Sequence, residues 1–177
     1  MTEESLFKDN ELVLSLSAAG ALTTSDWHVD RYFGSDHGLG GTIGAEYFFA
    51  KYFGVGADFS GFSVDDRRVG SEKFVGNFLV DLRLRYPIGS FAPYVALRGG
   101  PLFNGGNKSL KEPSGTIGKK IRFEILEHDV KLDAEAAVGT EFRLTKNWGI
   151  FAEAAFDKVD RPQSNFVSFR SGLNFAF

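Results

Sequence analysis

Residues 166–177 read FVSFRSGLNFAF, and no other stretch restricts the fold of this chain so strongly. Val167, Phe169, Leu173, Phe175 and Phe177 share one parity with small Ser171. Ser168, Arg170, Gly172, Asn174 and Ala176 share the other, where Phe166 is the large apolar exception. Alternation with period two over this length specifies a β-strand with one apolar and one polar face. A helix would gather its apolar residues every 3.6 positions instead.

The same alternation recurs along the chain and predicts eight strands: 11–23, 38–50, 53–64, 73–86, 93–103, 129–144, 148–157 and 166–177. The clearest is 73–86. Phe74, Gly76, Phe78, Val80, Leu82, Leu84 and Tyr86 lie on one side; Asn77, Asp81, Arg83 and Arg85 lie on the other with Val75 and Leu79. The connections after the second, fourth and sixth strands are short and rich in turn formers such as Pro87 and Gly89. Those after the first, third, fifth and seventh are expected to be longer and variable, the third being a short charged loop over 65–72. The longest is 104–128, where 120–126 alternates enough to extend a strand.

Composition narrows the classes. No run of about 18 apolar residues is present, which excludes a transmembrane helix. A mean hydropathy of −0.13 is compatible with a membrane barrel, whose strands turn half their side chains to a polar interior. The chain has no cysteine, so disulfides and thiolate metal sites are excluded. A net charge of −3 gives no broad basic field for nucleic acid. The 21 glycines and 19 phenylalanines suit tightly curved sheets with aromatic rims.

A large aromatic as the last residue of an alternating final strand resembles the C-terminal signature of bacterial outer-membrane β-barrels. Phe169, Leu173, Phe175 and Phe177 match it, and Ser171 matches weakly. With the strand number and the turn pattern, the whole chain resembles the small eight-stranded family of the outer membrane protein A transmembrane domain, OmpX and the opacity proteins. The resemblance implies an all-β, antiparallel, up-and-down transmembrane barrel over 11–177 with an N-terminal tail over 1–10. It implies both termini on the periplasmic side, outer-membrane lipid as surroundings, and a last strand read by the barrel insertion machinery. A soluble eight-stranded barrel would reverse the polarity, apolar inside and polar outside.

Residues 12–22, LVLSLSAAGAL, look like a leader-peptide core. The acidic run before them, with Glu3, Glu4, Asp9 and Glu11 against Lys8, opposes that reading, because leaders start basic. Dropping the segment would also leave seven strands. It is expected to be the first strand, with Met1 a start residue that replaces a natural leader.

The polar parity predicts a charged lumen built from Glu46, Asp58, Asp81, Arg83, Arg85, Arg98, Lys131, Asp133, Glu135, Glu141, Arg143, Glu153, Asp157 and Arg170. Buried charges must be paired. An eight-stranded interior is only wide enough for side chains to fill. The expectation is therefore a neutralised salt-bridge plug, weighed against an ion pathway. His28, His37 and His128 fall in the long connections near acids, but their spacing matches no metal motif and they read as solvated loop residues. No Ser–His–acid set is visible, so neither catalysis nor a cofactor is expected. The aromatics are predicted to form two rims: Tyr47, Phe49, Tyr52, Phe53, Tyr86, Phe91, Phe142, Trp148, Phe175 and Phe177 at one end, and Trp27, Tyr32, Phe62, Phe74, Phe103, Phe156 and Phe166 at the other. The functional expectation is a non-enzymatic, monomeric barrel presenting loops for adhesion, envelope stability or partner binding. The alternatives are a narrow channel for ions or small solutes and a lipid-modifying enzyme.

Overall fold

The computed structural model describes residues 6–24, 36–66, 71–105, 130–159 and 165–177. The eight strands are β1 (Glu11–Thr23), β2 (His37–Ala50), β3 (Phe53–Asp66), β4 (Ser71–Arg85), β5 (Phe91–Gly105), β6 (Lys131–Arg143), β7 (Trp148–Val159) and β8 (Phe166–Ala176). Each pairs antiparallel with its sequence neighbours, and β8 pairs with β1 to close the barrel. Closure leaves no unpaired strand edge. The expected extension over 120–126 lies outside the described residues.

The register fixes the dimensions. Successive partners from Arg85 are Tyr94, Gly139, Glu153, Arg170, Ala19, Gly40, Phe62 and Val75. The circuit thus returns to β4 at Val75, ten residues from its start at Arg85. With a rise of about 3.3 Å per residue and a strand spacing of about 4.8 Å, a stagger of ten on eight strands tilts them by roughly 40° and sets a radius of about 8 Å. Each residue then advances about 2.5 Å along the axis. Even the 11-residue β8 therefore spans an apolar band of about 25 Å.

Parity assigns the faces as the alternation predicts. Leu16, Ile43, Val80, Leu97, Leu132, Val138 and Leu173 are exposed on the outside, while Asp81, Arg98, Glu135 and Arg143 on the other parity are buried. Two glycines sit where backbones come too close for any side chain. A Cβ at Gly40 would run into the Gly61 carbonyl, and one at Gly172 into the Leu16 carbonyl. Pro101 lacks an N–H, and the β4–β5 ladder skips the pairs opposite Phe78 and Leu79.

Two expectations are corrected. The third connection is shorter than the expected 65–72: pairing continues to Asp66↔Ser71 and leaves only residues 67–70 between β3 and β4. Asp65 and Glu72 stay in the ladder because a strand end in water carries charge at no desolvation cost. Second, Phe62 and Phe166 are not rim residues. Both are 1% exposed and face the lumen, where their rings meet edge to face at 6.3 Å. The rim at the turn end is dense, with Tyr47–Phe49, Phe49–Phe53, Tyr52–Tyr86, Trp148–Phe175 and Phe175–Phe177 ring contacts between 4.6 and 6.3 Å. At the loop end Phe74 and Phe156 are exposed and Phe59 stacks on Phe103. Trp27 and Tyr32 lie outside the described residues.

Candidate functional site

The lumen is stacked in three layers. At the loop end Ala19, Ala21, Phe62, Val64, Val75, Leu102, Val159 and Phe166 form an apolar cluster. It exists because the luminal parity carries apolar residues toward the loops, at Phe62 and Val64 of β3, Val75 of β4, Leu102 of β5, Val159 of β7 and Phe166 of β8. Phe166, an anomaly in the sequence pattern, is one of its members.

Below it lies the charged layer. Asp81, Arg98 and Glu135 are direct partners on β4, β5 and β6, so signs alternate across adjacent strands. Arg98 is the hub. Its guanidinium reaches Asp58 on β3 at 2.9 Å, Asp81 at 3.6 Å and Glu153 on β7 at 2.7 Å, and it also bonds Glu135. Arg170, on β8, bonds Glu135 and approaches Glu153 at 3.2 Å and Asp58 at 3.8 Å. Arg83 pairs with Glu46 at 2.7 Å, stacks on the Tyr94 ring at 4.2 Å, and lies 3.8 Å from Glu153 across the barrel. These links join strands that are not neighbours, β2 with β4, β4 with β7 and β3 with β8, so they are chords rather than wall contacts. Room for them comes from small luminal residues: Ala96, Ala137 and Ala155 form a patch of their own, and the Tyr94 ring lies over Gly139, its partner on β6.

Nearer the loops, Asn77 donates to Asp133 at 2.9 Å over the bare backbone of Gly100, and Ser168 donates to Asp157 at 3.0 Å. Nearer the turns, Arg85 and Arg143 both bond Glu11, at 2.8 and 3.0 Å, and Arg143 also bonds Glu141. Phe48 packs with Val13 and Ala176 there and stacks on Arg85 at 3.5 Å.

Thirteen of the fourteen predicted lumen residues are buried inside the barrel; Lys131, at the loop-end start of β6, is half-buried. Sequence reading missed Glu11 and Lys73. Both carry the luminal parity of their strands, β1 with Ser15 and Ser17 and β4 with Val75 and Asn77. Glu11 also ends the acidic tail, which masks its parity in the sequence. Formal charges are unequal in number among the described buried residues. The buried set contains nine carboxylates, on Glu11, Glu46, Asp58, Asp81, Asp133, Glu135, Glu141, Glu153 and Asp157. Against them stand six cations, on Lys73, Arg83, Arg85, Arg98, Arg143 and Arg170. Proton uptake by part of the carboxylates is the simplest offset, since unpaired buried charge costs several kcal/mol.

Phe169, Leu173 and Phe177 point outward and are exposed, and Phe175 is half-covered by Trp148 and Phe177. His37 is exposed and its ring nitrogen meets Asp36 at 2.8 Å. His28 and His128 lie outside the described residues. Among the described residues no three His, Cys, Asp or Glu side chains converge as a metal site.

Residues 8–176 match the family model of the outer membrane protein β-barrel domain. No curated protein sequence matches the chain. Among solved structures, Neisserial surface protein A is 13% identical over 94% of this chain and 97% of its own, with a TM-score of 0.70. Outer membrane protein OprG of Pseudomonas aeruginosa is 13% identical over 98% and 99%, with a TM-score of 0.62. Ail, the attachment invasion locus protein of Yersinia pestis, is 16% identical over 96% and 99%, with a TM-score of 0.59. At these identities the likeness is one of fold.

Proposed function

The chain belongs to the outer membrane protein β-barrel domain family, and from that premise we propose that it is a non-enzymatic, monomeric surface barrel whose lumen is a structural plug and whose loops are its working surface. Arg98 and Arg170 carry this reading. They tie Asp58, Glu135 and Glu153 together across the axis of the barrel, at the height where a conducting path would need open space. In the proposed orientation the three short turns and both termini are periplasmic. The longer connections, with Lys108, Lys111, Lys119 and Lys120 in the longest, then face outside. Such loops suit adhesion, envelope stability or binding of a surface partner, and basic loops suit anionic groups on that partner or on lipid. Ail of Yersinia pestis, whose fold is similar, is named for attachment and has been solved with the heparin analogue sucrose octasulfate.

Planar-bilayer recording tests the plug. The unaltered protein is expected to be silent, and removal of both arginines (Arg98→Ala with Arg170→Ala) is expected to give resolved openings. Steady conductance from the unaltered protein would overturn the surface-barrel reading in favour of a channel.

A further inference from the structure

Residues 6–11 fold back over the turn end of the lumen. Phe7 precedes the first strand, yet it is 2% exposed. Its ring lies 4.9 Å from the Arg85 guanidinium and 4.8 Å from that of Arg143. Arg85 is sandwiched, since its other ring neighbour is Phe48 at 3.5 Å. Four residues on, Glu11 accepts from Arg85 at 2.8 Å and from both terminal nitrogens of Arg143 at 3.0 Å. The stretch between is pinned to the β2–β3 turn. Asp9 accepts the backbone N–H of Lys51 at 2.7 Å, and the Tyr47 hydroxyl donates to Asn10 at 3.1 Å. Asn10 has φ of 56°, in the left-handed region that asparagine tolerates better than most residues, and there the chain reverses from the tail into β1.

We propose that residues 6–11 are a latch that closes the turn-end mouth of the lumen, with Phe7 as its bolt and Glu11 as its lock. The two parts differ in how they are held. Glu11 is within the β1–β2 ladder, so it stays with the barrel. Phe7 lies outside every strand ladder and packs its ring on Arg85 and Arg143, so it can leave without breaking a strand pair. The arginines it covers stay paired to Glu11 and Glu141 when it leaves, which keeps the open state affordable. The loop end is closed separately by the Phe62–Phe166 cluster. Opening the latch therefore admits water and small solutes from one side only. This device stands apart from what the loops bind and from whether the middle layer conducts.

The absence of cysteine makes a single introduced thiol a unique reporter. Ala92→Cys puts it on the fully buried luminal face of β5 opposite Glu141, just inside the mouth. Ala21→Cys puts it in the loop-end cluster as the control. The readout is the rate of modification by a charged methanethiosulfonate reagent, with the barrel refolded in detergent and checked by heat-dependent gel mobility. Phe7→Ala is expected to raise the rate at Ala92→Cys by about tenfold or more, as release of a locally closed segment does, and to leave Ala21→Cys unchanged. Phe7→Leu, which keeps bulk but loses the aromatic face, is expected to fall between. Equal rates at Ala92→Cys with and without Phe7→Ala would overturn the latch. So would a parallel rise at both cysteines, or failure of both Phe7 variants to fold, because either makes Phe7 part of the barrel's general stability.

Discussion

Arg98 shows at the scale of one residue why this lumen is sensitive. It is buried among four carboxylates, Asp58, Asp81, Glu135 and Glu153. Removing it leaves their charges without their main partner in a region that water reaches poorly. Arg98→Ala is expected to cost about 3–5 kcal/mol of unfolding free energy, the range for breaking a buried pair, measured by denaturant titration in lipid vesicles. Arg98→Lys should recover only part of this, because an ammonium cannot fork to several acids at once. Two phenylalanines three positions apart on β8 provide a second test. Phe166 is luminal and 1% exposed, whereas Phe169 is outward and 50% exposed. Phe166→Ala leaves a cavity among rigid neighbours and should cost about 3–5 kcal/mol. Phe169→Ala should cost clearly less, because mobile lipid tails refill the space. Equal losses in the same titration would contradict the inward placement of Phe166.

At the scale of the element, each strand is a two-faced ribbon whose outer face is free of charge near mid-strand and carries it only toward the ends, as at Glu72 and Lys158. Val80 is the test position on β4. It is outward, 56% exposed, and midway along the strand between exposed Phe74 and Tyr86 at the two rims. Val80→Arg is expected to destabilise by about 2–4 kcal/mol, the cost of a basic residue near the bilayer midplane. The same change at Glu72, exposed near the loop-end start of β4, should cost about 0–1 kcal/mol. Folding titrations into vesicles compare the two directly. The element scale also explains the pattern of glycines. Gly40 and Gly172 occur where the tilt presses one strand's backbone against the next, and neither position has room for a Cβ.

At the scale of the whole molecule, the closing seam decides whether a barrel forms. β1 and β8 are the most distant strands in sequence, and they pair over eleven positions from Val13↔Ala176 to Thr23↔Phe166. Beyond the last of these at the turn end, the Phe177 N–H donates to the Leu12 carbonyl at 2.9 Å, while its ring packs on Phe175 outside. If the last strand is what the insertion machinery reads, Phe177→Asp should lower the amount of folded protein in the outer membrane several-fold, about what loss of 1 kcal/mol in a recognition step would give. Refolding into detergent micelles should be nearly unaffected. Unchanged outer-membrane levels would separate Phe177 from assembly.

Much of this architecture is legible in the sequence because strand parity is local. Successive side chains point to opposite faces whatever the strand pairs with. Thus Val80, Leu82 and Leu84 declare a lipid face, Asp81, Arg83 and Arg85 declare a lumen, and the terminal FVSFRSGLNFAF declares the seam. Which charge meets which is not local. It depends on the height at which each strand is set by the closing stagger of ten residues, and that brings Arg170 of β8 to Asp58 of β3 and Arg143 of β6 to Glu11 of β1. The meeting of the Phe62 and Phe166 rings and the burial of Phe7 were decided at the same level. Each follows from how much space eight tilted strands leave around the axis, a quantity that no single strand contains.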